Sequence, residues 1–301
     1  MEDTMDKYFK RWFGILVLPA VLLFVLVIAL PFFTGIVYSF TSWRGTYFAG
    51  GTLFQSFVGF DNYIKAFTTG TFTRSLWYTV AYTVVAVIAI NLVALAFALM
   101  LGSIHRGVGM YRTVFFMPNM LGGLAMGYVW QFIFQVVYTD LIFSPDGLLH
   151  LEFMRYMTQD PVKALFALVI MTTWQSAGYM MLIYIGGLNS IPSDLYEAAA
   201  IDGAGPVRRF FKVTLPLLMS SITVVLFLTL ANSFKLLDQN LALTNGDFDT
   251  RMLALQILRT TRDTQPPNYG VAQAQAVIFF LIVAAISLIQ VYVTRSREVE
   301  F

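Results

Sequence analysis

The chain has 301 residues, of which 58% are hydrophobic and 12% charged, against about 45–50% and about 25% in soluble domains. With a mean hydropathy of +0.71, its surplus apolar surface calls for lipid rather than water. A net charge of +2, spread along the chain, gives no nucleic-acid footprint, and zero cysteines exclude disulfides, thiolate metal sites and cysteine nucleophiles.

Residues 1–12 read as a short basic N-terminal segment carrying Lys7, Lys10 and Arg11. The apolar run over 13–40 is too long for a signal-peptide core and predicts a first, retained transmembrane helix. Pro19 and Pro31 inside it predict kinks. A polar, aromatic, Gly-rich loop over 42–74 contains a predicted amphipathic helix at 61–67. The second and third spans fall at 76–101 and 114–137, the third with Pro118 and with Gly122, Gly123 and Gly127 for close helix approach. An outer loop over 138–161 precedes a fourth span at 162–188. The fifth span is placed at 217–237, a polar loop at 238–269 and the sixth span at 270–294. The expectation is an all-α integral membrane protein with a six-helix domain over 13–301.

Six spans put both termini on one side. Lys7, Lys10, Arg11, Arg106, Arg112, Arg208, Arg209, Lys212, Arg295 and Arg297 crowd the shorter segments of that side, so the positive-inside rule predicts cytoplasmic termini.

The stretch 196–218, within the loop 189–216, lies between two apolar segments yet carries Glu197, Asp202, Arg208, Arg209 and Lys212. Ser193 offers a helix cap, Asp194 and Glu197 sit in the early turns, and good helix formers follow. Gly203 and the Gly205-Pro206 pair break that helix. A second short helix over 207–214 leads to Leu215-Pro216. The pattern predicts a helix–break–helix elbow shaped to be gripped from outside the membrane.

Charge is nearly absent from the spans, which argues against a proton-coupled pump. The chain lacks an HExxH motif, a paired intramembrane Asp and a phosphate-binding loop, so it is expected to hydrolyse no nucleotide and to be no enzyme. His105 and His150 have no ligand spacing, and no metal site is expected. Uncharged polar residues do cluster. Thr172, Thr173, Trp174, Gln175, Ser176 and Tyr179 interrupt the fourth span, and Thr229, Asn232 and Ser233 share one face of the fifth. Taken singly these suit helix–helix hydrogen bonding; together they suit a neutral polyol held by hydroxyls, amides and rings. Lys235 and Asp238 read as residues of the membrane interface.

Glu197-Ala198-Ala199, three residues, Gly203, nine residues, then Val213-Thr214-Leu215-Pro216 resembles the EAA signature of permease subunits of bacterial binding-protein-dependent ABC importers. Asp202-Gly203-Ala204, Phe210-Phe211-Lys212 and Gly187-Leu188-Asn189-Ser190-Ile191-Pro192 resemble the carbohydrate-uptake branch, in particular the maltose-type first permease subunit. Phe57-Val58-Gly59-Phe60-Asp61-Asn62-Tyr63, Arg112-Thr113-Val114-Phe115-Phe116-Met117-Pro118-Asn119 and Trp174 with Gly178-Tyr179 follow in the order of that branch. Departures are Val213 for the usual Ile, and Thr244-Asn245-Gly246-Asp247-Phe248 where relatives often have Thr-x-Gly-Gly-Pro.

The resemblance implies the type I ABC importer permease fold in a bacterial inner membrane. It also implies a second homologous permease, two cytoplasmic ATPase subunits that bind the ATP and magnesium, and an extracytoplasmic sugar-binding protein. This chain itself would bind no cofactor. Coupling to the ATPase would fall to Glu197, Ala198, Ala199, Asp202, Gly203, Phe210 and Phe211. By position in the family, the substrate path would use Thr173, Trp174, Gln175, Tyr179, Thr229 and Ser233, with Asn232 joining them from the polar face of the fifth span. Leu236 stands where relatives can carry a sugar-binding Asn.

Overall fold

A computed structural model describes residues 2–104, 106–145, 147–149 and 151–298, with side chains from residue 12 onward. His105, His150 and the side chains of Lys7, Lys10 and Arg11 therefore lie outside the described residues. The chain divides into two compact units, 1–70 with 257–279, and 71–256 with 280–301.

In the first unit, α1 (Glu2–Phe24), a π-helical turn over Val25–Ala29 and α2 (Leu30–Ser39) form one membrane-length helix from Trp12 to Ser39. The described helix starts at Glu2, so residues 2–12 of the basic N-terminal segment run as helix into the span. Of the two prolines, Pro19 lies inside α1 and Pro31 stands at the start of α2, just after the π turn. Pro31 offers no N–H to the carbonyl one turn earlier and crowds it, and a widened turn accommodates both effects. Beyond Ser39 the chain folds back through bridges between Thr41 and Phe57 and between Trp43 and Phe48. It then enters α3 (Asp61–Thr68), where Asn62 Nδ2 donates to the carbonyls of Ser39 and Thr41, both at 2.8 Å. The same unit holds the first half of the last helix, Tyr269–Arg295. There Gly270 N–H donates to the Trp43 carbonyl, and a Cβ on Gly270 would strike the Thr41 carbonyl.

The second unit contains the buried core. Here α4 (Thr71–Gly102) packs chiefly on α7 (Pro161–Ser190), and Ala86, Ala94, Ala98, Ala164 and Ala167 are wholly buried. Small side chains allow backbones to approach where lipid gives apolar helices no reason to separate from it. Asp160 caps α7 by accepting from the N–H groups of Val162 and Lys163, and Pro161 occupies the first helical position.

The third apolar stretch is no single rod. It comprises α5 (Val108–Phe116), a 3-10 turn over Met117–Met120, then α6 (Gly123–Phe132) with a π-helical extension over Ile133–Ile142. The two halves meet at 96°. Pro118 tightens the first half to a 3-10 turn, and Leu121 and Gly122 are extended. Gly122 thus serves the break, with open space where a Cβ would stand. Gly123 and Gly127 do serve close approach, because a Cβ on either would collide with Asp238, Gln239 or Ala242.

After α7 come α8 (Ser193–Ile201), α9 (Pro206–Arg209), a π turn over Phe210–Thr214 and α10 (Leu215–Leu217). A 69° bend at Leu218 leads into α11 (Met219–Phe234). The fifth apolar helix is therefore shorter than the predicted 217–237. Pro216 keeps Leu215–Leu217 with the preceding turn, and Lys235 ends the helix near φ −85 and ψ 9. The predicted polar loop 238–269 holds two helices, α12 (Asp238–Thr244) and α13 (Leu253–Arg262), before α14 (Tyr269–Arg295). Asn240 of α12, wholly buried, holds the segment that leads into α13: its amide donates to Thr250 O at 2.9 Å and accepts from Met252 N at 3.0 Å. Among the described residues four helices are long and apolar enough to cross a membrane, or six when each bent pair counts as one span.

Candidate functional site

The polar cluster of the fourth span and the polar face of the fifth come together in the second unit. Thr172, Gln175 and Ser176 on α7 face Thr229, Asn232 and Ser233 on α11 across a cavity of about 330 Å³. Met180 of α7, Tyr82 and Ile90 of α4, Asn119 of the 3-10 turn and the segment after α11 complete the lining. Most of the wall is neutral and hydrogen-bonding. Lys235 supplies the one charged side chain among the described lining residues.

Two sets of polar groups can be distinguished here. The first is engaged within the protein. Tyr82 Oη donates to Thr172 Oγ1 at 2.9 Å, and Thr172 in turn donates to Leu168 O at 2.8 Å. Thr229 Oγ1 donates to Val225 O at 2.7 Å and accepts from Asn91 Nδ2 at 3.1 Å, while Asn91 Oδ1 accepts from Tyr184 Oη at 2.7 Å. One amide on α4 thereby joins three helices. Gln175 Nε2 donates to Leu121 O at 3.0 Å, and Gln239 Nε2 donates to Gln175 Oε1 at 3.1 Å. The second set, Asn119, Ser176, Asn232, Ser233 and Lys235, makes no side-chain hydrogen bond to another described residue and lines the space. Those five could receive a hydroxylated ligand without first breaking an internal bond.

Of the expected path residues, Gln175, Thr229, Asn232 and Ser233 meet at this cavity. Three others lie outside its lining. Trp174 meets Trp130 edge-on at 5.8 Å, Tyr179 tilts toward Phe116 at 6.3 Å, and Thr173 Oγ1 is buried without a hydrogen-bond partner. Sequence reading missed Asn119 and Gln239 and assigned Lys235 to the membrane interface. Pro118-Asn119 is a turn-forming pair inside an apolar run, the signal that could have marked a break there.

The elbow is the second feature. α8 starts after Pro192 with no side-chain cap, so Ser193 is its first helical residue rather than its cap. It closes with Gly203 at φ +74, a region open to glycine at little cost. Ala204 N–H reaches back to Ala199 O at 2.9 Å and Gly203 N–H to Ala200 O at 3.0 Å, the paired bonds of a Schellman terminus. Tyr196 Oη and Thr214 Oγ1, 3.2 Å apart, brace α8 against the returning π turn. Glu197, Ala198, Asp202 and Phe211 are exposed, Ala199 and Phe210 are half-buried, and the Phe210 and Phe211 rings meet edge-on at 5.0 Å. Ile201 and Val207, 87% and 71% exposed, give the outer side of the elbow an apolar surface among charges.

Polar cavity, bent spans and an exposed elbow between the fourth and fifth segments are features of a membrane transport component. Residues 106–299 match the family described as binding-protein-dependent transport system inner membrane component. The chain is 39% identical over 299 residues to a probable starch degradation products transport system permease protein of Thermoanaerobacterium thermosulfurigenes, covering 98% of each. It is 30% identical over 298 residues to a multiple sugar-binding transport system permease protein of Streptococcus mutans, covering 98% of this chain and 100% of that one. Its fold matches a solved bacterial ABC transporter involved in the import of the acidic polysaccharide alginate, with TM-score 0.78, 19% identity and coverage of 97% and 99%. The chain belongs to the binding-protein-dependent transport system inner membrane component family. It has the type I ABC importer permease fold and is a membrane-embedded transport subunit, not an enzyme.

Proposed function

We propose that the chain forms half of the translocation path of an ATP-driven importer for neutral di- or oligosaccharides. The observation that carries this reading is the cavity, whose free groups are two amides, two hydroxyls and the single ammonium of Lys235, beside the rim of a tyrosine and aliphatic side chains. Such a lining hydrogen-bonds a sugar's hydroxyls while leaving its C–H faces against apolar surface. The permeases of starch degradation products and multiple sugars to which the chain is similar support the same class. A second homologous permease would complete the path, and an extracytoplasmic sugar-binding protein would deliver to it.

The elbow would seat in a cytoplasmic ATPase subunit, with the termini on the same side. Glu197 would make a polar contact there, Ala198 and Ala199 would keep α8 slim enough to lie deep, and Gly203 would set the turn. Two partner ATPases would bind ATP and magnesium, and their closure would move the elbow as a rigid body. Lys235 favours one competing substrate, a phosphorylated polyol, whose anion it could attract to the cavity.

The test is ATP-driven uptake by the chain reconstituted with its partner subunits and binding protein. Maltooligosaccharide uptake is expected, with Gly203→Pro reducing it to background while the variant stays at normal level in the membrane. Uptake of glycerol phosphate in place of the oligosaccharide would select the competing substrate. Full oligosaccharide uptake by Gly203→Pro would remove the coupling role of the elbow.

A further inference from the structure

α3 sorts its side chains into three directions. At about 100° per residue, Phe60, Ile64 and Phe67 share one side, Asp61, Lys65 and Thr68 a second, and Asn62 and Ala66 a third. The third side is buried. The second is exposed and polar, as a surface helix requires. The first is apolar and also exposed, Phe60 at 69% and Ile64 at 60%. A helix with an uncovered apolar side next to an uncovered polar side is built for a boundary between water and hydrocarbon.

Its depth is set by Asn62, whose amide holds the carbonyls of Ser39, the last residue of α2, and of Thr41. The hydroxyls of Tyr63 and Ser39, 2.7 Å apart, make a second tie. α3 therefore sits level with the end of the first membrane span. The apolar surface is also continuous with that span. Phe33, Val37 and Phe40 recur at i, i+4, i+7 on α2 and the residue after it, with Phe33 and Val37 64% and 48% exposed. The Phe40 ring stacks on Phe57 at 6.3 Å and meets Phe60 edge-on at 5.4 Å, and Phe57 is itself 65% exposed.

We propose that α3 and Phe57 form an interfacial anchor. Phe57, Phe60 and Ile64 insert between lipid headgroups and acyl chains on the side where the first span ends, and Asp61 and Lys65 stay in water. The occupant is lipid because Phe40, packed on Phe57 and Phe60, carries the exposed apolar stripe of the span directly onto this surface. The anchor fixes the vertical register of the first span, which an apolar helix alone sets loosely. This inference rests on the membrane-spanning character of Trp12–Ser39 and not on the transport reading.

The native chain has no cysteine, so single cysteines can carry spin labels in the full chain reconstituted into phosphatidylcholine liposomes. At Phe57→Cys, Phe60→Cys and Ile64→Cys, collision with dissolved oxygen is expected to exceed collision with a water-soluble nickel chelate several-fold. Asp61→Cys and Lys65→Cys should show the reverse. Nickel access at all five positions would mean a solvated helix and overturn the anchor. Low access to both reagents at 57, 60 and 64 would mean a covering protein and overturn it equally. Ile64 lies outside the aromatic cluster, so its label reports even where loss of the Phe60 ring disturbs Phe40.

Discussion

The first and fourth apolar helices, Trp12–Ser39 and Pro161–Ser190, have nearly the same length and opposite environments. The most apolar window of the first contains no buried residue, whereas more than half of the corresponding window of the fourth is buried. The more apolar helix is the more exposed one, the reverse of a water-soluble protein. In lipid, leucine gains little by leaving the acyl chains, while hydrogen-bonding and small side chains gain partners and close contact from a protein neighbour. The fourth helix accordingly buries Ala164, Ala167, Thr172, Gln175 and Gly178, while the first turns Leu16, Leu23, Leu26 and Val27 outward. Of these two helices, the one that carries hydrogen-bonding and small side chains is the buried one.

The largest expected effect tests packing at equal chemistry. A Cβ on Gly178 would drive into the Phe115 carbonyl, whereas Gly14 has nothing within 4 Å. Gly178→Leu should cost about 3 kcal/mol or more of stability, the severe end of overpacking. Gly14→Leu should stay within about 0.5 kcal/mol. Thermal unfolding in detergent, read by the monodisperse fraction, checks both, and equal losses would erase the contrast. Next, Leu26→Arg places a charge on an outward position that is 59% exposed. It should disfavour membrane insertion by about 3 kcal/mol, measured with a glycosylation reporter. Unchanged insertion would mean that residue 26 does not face lipid. The smallest effect concerns the buried amide. Asn91→Leu and Tyr184→Phe should each cost about 1 kcal/mol. The double variant should cost little more than Asn91→Leu alone, because both remove the 2.7 Å bond. Full additivity in a double-mutant cycle would show that the bond contributes nothing.

Long apolar runs were legible in the sequence because twenty residues without charge have few alternatives to a span. Gly203 was legible as well, since a lone glycine after an Ala-rich helix start marks a terminus. The 96° bend was not. Pro118 and the glycines that follow are consistent both with a packed straight helix and with a break. The choice falls to tertiary partners, Gln175 on Leu121 O and α12 against Gly123 and Gly127. Helices α12 and α13 were hidden for a related reason, since their polar composition reads as loop until Asn240 and Leu253 are seen to be buried. The cavity was half visible. A polar cluster within one helix found Gln175 and periodicity within another found Asn232, but Asn119 and Gln239 reach it from segments whose direction only the bend decides.

Opening a helix at Leu121 makes the backbone of one segment depend on the side chain of another. In hydrocarbon a carbonyl without a donor is costly, and here the donor to Leu121 O is Gln175 of α7. A glutamine loss at 175 would thus expose a peptide group of the third segment, not only a polar side chain of the fourth. Water would be the remaining donor for it. A cavity of about 330 Å³ has room for roughly ten water molecules. The pocket is thus both roomy and polar enough to supply that donor, so the bend in the third segment and the cavity beside it are linked through one glutamine.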